Sequence, residues 1–504
     1  MLRPEGSRNF AESKKIFKPN AKIMKMSYLK ITGLFMAALI IGFTSCKKDE
    51  ETKAAPTVTS PASTTVEKGL AVDLTFNYSA EAGFMSANPI ATNGTATIKS
   101  NGGAGSTSGN VVVTFTAAAN AGAGSVVLTL VDNDSRSTAA TAVINIVEEQ
   151  LIVQVSGNIT QNTTWESGKV YVLESRIAVV SGVTLSIQPG VIVKGQAGTG
   201  ANATALLIAR GGKLMAEGTS DSPIIFTSVA DEIMPGQIAS PNLDSDLNGL
   251  WGGLIILGNA PISADAASVQ IEGIPPSDQN GLYGGSDATD NSGIIRYISI
   301  RHGGTNIGEG NEINGLTLGG VGSGTIIENI EIVANQDDGI EWFGGTVNVR
   351  NAIIWNAGDD AVDTDQSWGG TLDNFIVVNP GDECFELDGP EGAMEASHTL
   401  MNGSVFAGNA EGLVDLDDNS LVTMTKIYFF GIAAGQDFDL KPTGLVASSL
   451  QATLPAGGAL ADFFKAGSET YVTIVAQGAN TVGADVSKFQ NWSWASVSGA
   501  LVDF

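Results

Sequence analysis

Aspartates and glutamates recur along one stretch of this chain at a spacing that amounts to a repeat. Asp338, Asp360 and Glu383 are separated by 22 and 23 residues, and Glu341, Asp363 and Glu386 repeat the same two gaps. Asp415 and Asp437 continue the second series after 29 and 22 residues, and Asp365, Asp388, Asp417 and Asp439 run parallel to it. Carboxylates repeated in this way have three uses. They can remain in water as a charged face that keeps an edge-rich structure soluble. They can gather divalent cations, Ca²⁺ first, because hard cations take several oxygen ligands. Two of them at a set separation can serve as acid and base in glycoside hydrolysis. The residues alone leave these three open. The metal set they offer is Asp338, Glu341, Asp360, Asp363, Asp365, Glu383, Glu386 and Asp388, and no catalytic residue is assigned.

The elements around the acids fix how they must be presented. An apolar run precedes each cluster: Ile326 to Ile332, Val349 to Ile354, and Leu372 to Val377. Within the clusters Ile340, Val362, Phe385 and Val414 sit directly beside the acids. Side chains alternate faces along a strand, so the apolar members point inward and the acids outward. From Leu151 onward the strands are very short and broken by Gly or Pro, as in Val183–Ile187, Val191–Val193 and Ala205–Ile208. Such runs suit successive faces of a solenoid in which each coil stacks on the one before. A period of 22–23 with three short strands fits one coil of a right-handed, single-stranded parallel β-helix over residues 151–504. Equivalent carboxylates on neighbouring coils then lie about 4.8 Å apart. The expected picture is a two-column acidic stripe facing outward, with Glu341, Asp363, Glu386 and Asp415 in one column and Asp365, Asp388 and Asp417 in the other.

Several phrases carry a resemblance. "VTLSIQPGVIVKG" and "GGKLMAEGTSDSPIIFTS" within Val183–Ser228, "WGGLIILGNAPI" at Trp251–Ile262, and "NEINGLTLGGVGSGT" at Asn311–Thr325 are similar to a family of bacterial surface β-helix lipoproteins. The likeness covers about residues 150–500 and implies the pectate-lyase-like fold and a cell-surface location rather than a reaction. Taken with the acidic stripe, the chain reads first as a binding or adhesion module at the cell surface, for polysaccharide and assisted by calcium. The alternative is a polysaccharide lyase or glycoside hydrolase, since Gly358-Asp359-Asp360 resembles the aspartate pair of polygalacturonases. Those hydrolases also carry Gly-His-Gly and Arg-x-Lys, and neither occurs here. A lyase would need a basic residue beside the calcium site; Arg350 is the nearest in sequence.

Other candidate groups add little. His302 follows a strand and reads as the end of a coil. His398 falls in an insertion around Pro390 and is placed within reach of the acidic face. Trp342, Trp355 and Trp368 are either sugar-stacking platforms or core and corner packing. Cys384 occupies an apolar slot and reads as buried and inert. Asn491-Trp-Ser-Trp494 is expected to cap the open end of the solenoid.

The N-terminal part describes an address and a spacer. Met24 to Cys46 has a basic start, an uncharged apolar run from Ile31 to Thr44 and small residues before a lone cysteine. That run is shorter than the roughly 20 residues a membrane span needs and fits a secretory signal. It resembles a bacterial lipobox, with Phe43 where Leu is usual. The resemblance implies acylation of Cys46 and outer-membrane lipid as a partner; a plain signal peptide or anchor helix is the other reading. Lys47-Lys-Asp-Glu-Glu51 resembles the tag that sends gram-negative lipoproteins to the outer face of the outer membrane, or is a solvated tether. Residues 1–45 are thus an extension and signal peptide, and 46–66 a tether rich in Ala, Pro, Thr and Ser. Residues 67–148 alternate with period two and resemble a small immunoglobulin- or cadherin-like β-sandwich. Within it, Asp132-Asn133-Asp134 is a calcium loop or a turn. The net charge is -27. Removing residues 1–45, with 8 Lys/Arg and 2 Asp/Glu, makes it -33. Such a surface repels phosphate backbones, so nucleic acid is not an expected partner.

Overall fold

The computed structural model describes residues 53–148, 151–198, 202–308, 311–439 and 444–504. Cys46 and the signal-like stretch lie outside them. Among the described residues no helix is long and apolar enough to cross a membrane. The chain divides into two compact units between Val147 and Glu148.

The first unit is a sandwich of two four-stranded sheets. Alternation along Ala71–Ser79, Ser108–Ala117, Gly122–Asp132 and Ser137–Val147 buries Phe76, Phe115, Leu128 and Ile144 between them. The tether is shorter than its composition suggests. Thr57–Thr59 and Thr64–Glu67 join the sandwich as edge strands, because Thr and Val fit a pleated surface well. Asp132 Oδ1 accepts the N–H groups of Asp134 and Arg136, at 3.0 and 2.9 Å, and Oδ2 pairs with the Arg136 guanidinium at 2.9 Å. That carboxylate is already satisfied by two amides and a guanidinium, so the segment is a structural turn.

The second unit is the parallel β-helix. A front sheet of eight strands contains Leu254–Leu257, Leu316–Gly319, Ile340–Phe343, Val362–Asp365, Glu386–Leu387 and Asp415–Leu416. A rear sheet of sixteen strands forms the other two faces. In the early coils those faces are separate strands, such as Thr184–Ile187 and Ile192–Gly195. From Gly293 to Phe430 they fuse into one long strand per coil, bent at a single left-handed residue. Asn329, Asn351, Asn374 and Asn402 take this place with φ of 57–61°. Asn tolerates that region better than most residues. The stacked corner amides bond along the axis: Asn351 Nδ2 donates to Asn329 Oδ1 at 3.0 Å, and Asn374 Nδ2 to Asn351 Oδ1 at 2.7 Å.

The core runs down the axis between the sheets. Ile340 and Val362 stack in register and are fully buried. Trp342, Trp368 and His398 form an internal column, with ring centroids 4.5 and 5.2 Å apart. His398 therefore does not reach the acidic face. It opens the rear strand His398–Phe406 and points into the core toward Thr364 Oγ1 at 3.3 Å. Burial drives its pKa down to about 3. Trp342 and Trp368 are likewise inside and offer no sugar platform. Trp355 lies on the outer side of the rear sheet against Trp494, 5.8 Å away.

The last segment differs from expectation. Phe463 and Phe464 close the core, while Asn491–Trp494 folds back along the outside of the rear sheet. Trp492 packs edge-on against Tyr297. The N–H groups of Trp494 and Ala495 donate to the buried Glu331 at 3.1 and 2.8 Å. Tryptophans that shield the side of a sheet serve the same end as a cap, covering apolar surface.

Candidate functional site

Each coil makes a corner between the rear and front sheets, and the corner acids interlock along the axis. Asp338 Oδ1 accepts the backbone N–H of Asp360 at 3.0 Å, and Asp360 Oδ1 accepts that of Glu383 at 2.6 Å. Three residues further on, Glu341, Asp363, Glu386 and Asp415 pair in strict register on the outward side of the front sheet. The column matches the sequence reading. Asp388 continues the second column beside Asp365: its N–H donates to Thr364 O at 2.8 Å, the bond of a parallel pair.

The stripe is not an open, solvated face along its length. Asp338, Glu341 and Asp360 are only 7%, 6% and 5% exposed. Asp363, Asp365, Glu383, Glu386 and Asp388 are half-buried, whereas Asp415, Asp417 and Asp439 stand in water as expected. Two insertions account for the burial. Residues 258–292 leave the front sheet after Leu254–Leu257 and lie back over it as a strap. Its apolar side, with Ile262, Ile271, Ile274 and Tyr283, covers outward Leu207, Ile255, Leu257 and Phe343. The segment 389–397 meets the strap where Gly392 N–H donates to Ser263 O at 3.0 Å. Between these walls lies an open trough of about 860 Å³. Its floor carries Glu341, Asp363, Asp365, Glu386 and Asp388; the strap adds Asp265 and Glu272, and the side wall Glu391. No Lys, Arg or His lines it among the described residues.

One oxygen from each of Asp338, Glu341 and Asp363 lies within 4.8 Å of the others. A second trio, Glu312, Asp337 and Asp359, converges to the same limit at the flank. Burial first, and neighbouring carboxylates second, push the pKa values of Asp338, Glu341 and Asp363 well above the usual range. The same causes raise Asp359 to about 6 and Asp365 and Asp388 to about 7. Glu383 reaches about 8, Asp337 about 10 and Asp360 about 11. Several acids meet carboxyl to carboxyl: Glu341 with Asp363, Glu272 with Glu341, and Asp360 with Glu386. Desolvated like charges at this range are stable only when protons or a cation intervene. Hard oxygen ligands without a competing ammonium or guanidinium suit Ca²⁺.

Several members of the site escaped sequence reasoning, among them Asp265 and Glu391 of the trough walls and Asp337 of the second trio. Glu272 sits on the strap, outside any repeat. Glu312 and Asn314 precede the front strand Leu316–Gly319. Asn314 occupies the place of Asp338 one coil earlier, since Gly315 N–H donates to Asp338 O and Leu316 N–H to Gly339 O. The signal was the phrase Asn314-Gly-Leu against Asp338-Gly-Ile, 24 residues apart and lacking a charge.

The remaining candidates stay apart from the trough. Arg350 belongs to the rear sheet, is largely exposed and pairs with Asp373 at 3.3 Å, so it supplies no base for a lyase. His302 ends a strand with φ 58° and its Nδ1 meets Leu247 O at 2.5 Å. Cys384 is a buried free thiol whose pKa burial raises.

A model of the family described as pectate-lyase like beta helix domain matches residues 157–410. Among solved structures, a Yersinia enterocolitica family 28 exopolygalacturonase is similar at 10% identity and a TM-score of 0.19. That match covers 81% of this chain and 85% of the enzyme's. No curated protein matches.

Proposed function

We propose, on the premise that this chain belongs to the pectate-lyase-like β-helix family, that it is a cell-surface lipoprotein whose acidic trough binds Ca²⁺ and, through it, polysaccharide. The convergence of Asp338, Glu341 and Asp363 carries the reading. Three desolvated carboxylates with no Lys or Arg partner among the described residues must either keep protons or take up a cation, and three converging oxygens favour the cation. A bound Ca²⁺ leaves coordination sites for water or for sugar hydroxyl and carboxylate oxygens, and the trough is open enough to admit a chain. The lipobox-like Phe43-Thr-Ser-Cys46 supports a lipid anchor in the outer membrane, and the following Lys47–Glu51 supports exposure at the surface. The experiment is a calcium titration by calorimetry, followed by a glycan array with Ca²⁺ and with EDTA. Calcium binding and calcium-dependent glycan retention are expected. Absence of calcium binding would remove the reading.

The second reading is hydrolysis of a polysaccharide. Asp365 and Asp388, both raised to about 7, face the trough beside Asp363 and Glu386. A carboxyl that keeps its proton near neutrality can act as a general acid. Reducing-sugar release from glycans retained on the array favours this reading. Retention without release favours binding alone.

A further inference from the structure

The strap contributes more than a wall. Its far end is well secured: Arg210 Nη1 donates to Gly284 O at 2.6 Å, Arg176 pairs with Asp278 at 3.2 Å, and Tyr283 Oη donates to Gln366 at 3.0 Å. Its inner turn, Ile271-Glu272-Gly273, is held differently. Gly273 has φ +65°, and a Cβ there would stand 2.6 Å from Glu312 O and from Ile313 Cγ1. Only glycine lets the strap come this close to the Glu312-Ile313 backbone. The close approach brings Glu272 to the trough beside Glu341, both lining it.

Asn314 provides an independent sign of a ligand. It is fully buried, and its Nδ2 donates to Glu341 Oε2. Its Oδ1 has no partner. Buried amide oxygens are rarely left unpaired, and this one belongs to a side chain that bonds a member of the carboxylate trio, where a neutral oxygen is a good ligand for a hard cation.

We infer that a single divalent cation held by Asp338, Glu341 and Asp363 also takes Glu272 of the strap and the Asn314 carbonyl oxygen, so that the cation latches the strap onto the β-helix. This rests on the calcium reading above and adds a regulatory role to it. Four carboxylates and one amide supply five oxygens, short of the six to eight that Ca²⁺ takes, and water or ligand completes the shell. Without the cation nothing on the strap side neutralises this cluster of acids, and the inner turn loses its tie to the β-helix. Asp265, Gln270, Glu272 and Tyr283 of the strap line the trough. Cation occupancy therefore sets the shape of the trough that a polysaccharide would enter, and ligand affinity follows the calcium concentration.

The test is hydrogen exchange of the full chain, read over residues 268–283, in Ca²⁺, in Mg²⁺ and in EDTA, with calcium affinity measured in parallel by calorimetry. Calcium is expected to slow exchange in this segment selectively. Glu272→Gln keeps the size of the side chain and is expected to remove that protection and weaken calcium binding about tenfold. Unchanged exchange over residues 326–333 of the rear sheet confirms that the variant is folded. Calcium binding without protection of the strap, or a Glu272→Gln protein that behaves as the parent does, would overturn the latch and leave the metal site standing. A parent protein that binds no calcium would overturn both.

Discussion

Asp338 Oδ1 accepts the backbone N–H of Asp360 at 3.0 Å, across the gap between successive coils. The bond gives the ladder a structural duty separate from its charge. Asparagine retains the accepting oxygen and drops the charge. Asp→Asn substitutions at the corners therefore separate metal chemistry from folding, whereas Asp→Ala would confound the two.

The asparagine corners are expected to carry real stability. Asn351→Ala loses two amide bonds and places a Cβ residue less tolerant than Asn at φ 57°. A loss of about 2–3 kcal/mol is predicted. Asn351→Gly relieves the backbone share and should recover about 1 kcal/mol of it. Urea melts of the two variants provide the check. Equal midpoints for both would mean that the corner conformation costs nothing.

Stability in EDTA should fall as pH rises from 7 to 9. Glu383, Asp365 and Asp388 have folded pKa values of about 8, 7 and 7, all above the unfolded range. Such groups bind protons more tightly in the folded chain. Their contribution is full below the unfolded pKa and is lost as pH climbs through the folded one. His398, lowered to about 3, is neutral in both states across this window and does not interfere. Calcium should flatten the profile. A flat EDTA profile at constant ionic strength would mean that these acids are not desolvated in the folded protein.

The register of the acids was legible in the sequence because alternation and period reinforce each other. Ile340 next to Glu341 and Val362 next to Asp363 leave one orientation for the strand. The burial of the ladder was not legible. It comes from residues 258–292 and 389–397; the first replaces a short turn and belongs to no repeat, so nothing placed Glu272 at the trough beside Glu341. Ile326 to Ile332 read as one straight strand because a single left-handed Asn329 still leaves Ile327 before the bend and Ile330 after it pointing into the core. His398 was placed by its distance along a loop, although the rear strand begins with it. Trp492 and Trp494 were read as an end cap because position in the chain says nothing about a segment that folds back.

Anchoring is expected to depend on one thiol. Cys46→Ala should prevent labelling by a palmitate analogue and release the protein from the membrane fraction. A mutant that remains membrane-bound, with a parent that takes no label, would refute the lipid anchor.

His398→Phe should leave calcium affinity unchanged, since the ring stacks on Trp368 inside the core. Calorimetry of that variant decides the point. A loss of affinity greater than about threefold, with the fold intact, would place the histidine in functional contact with the trough.

The central claim, that Asp338, Glu341 and Asp363 hold Ca²⁺, is tested most directly by thermal melts in Ca²⁺ against Mg²⁺ at equal ionic strength. The parent should gain about 2.7 kcal/mol of stability at a hundredfold excess of Ca²⁺ over its dissociation constant. Asp338→Asn combined with Asp363→Asn should lose that gain, remain folded and melt no lower than the parent does in EDTA. Identical melting temperatures for the parent in Ca²⁺ and Mg²⁺, or a calcium-specific rise that survives the double substitution, would contradict the account.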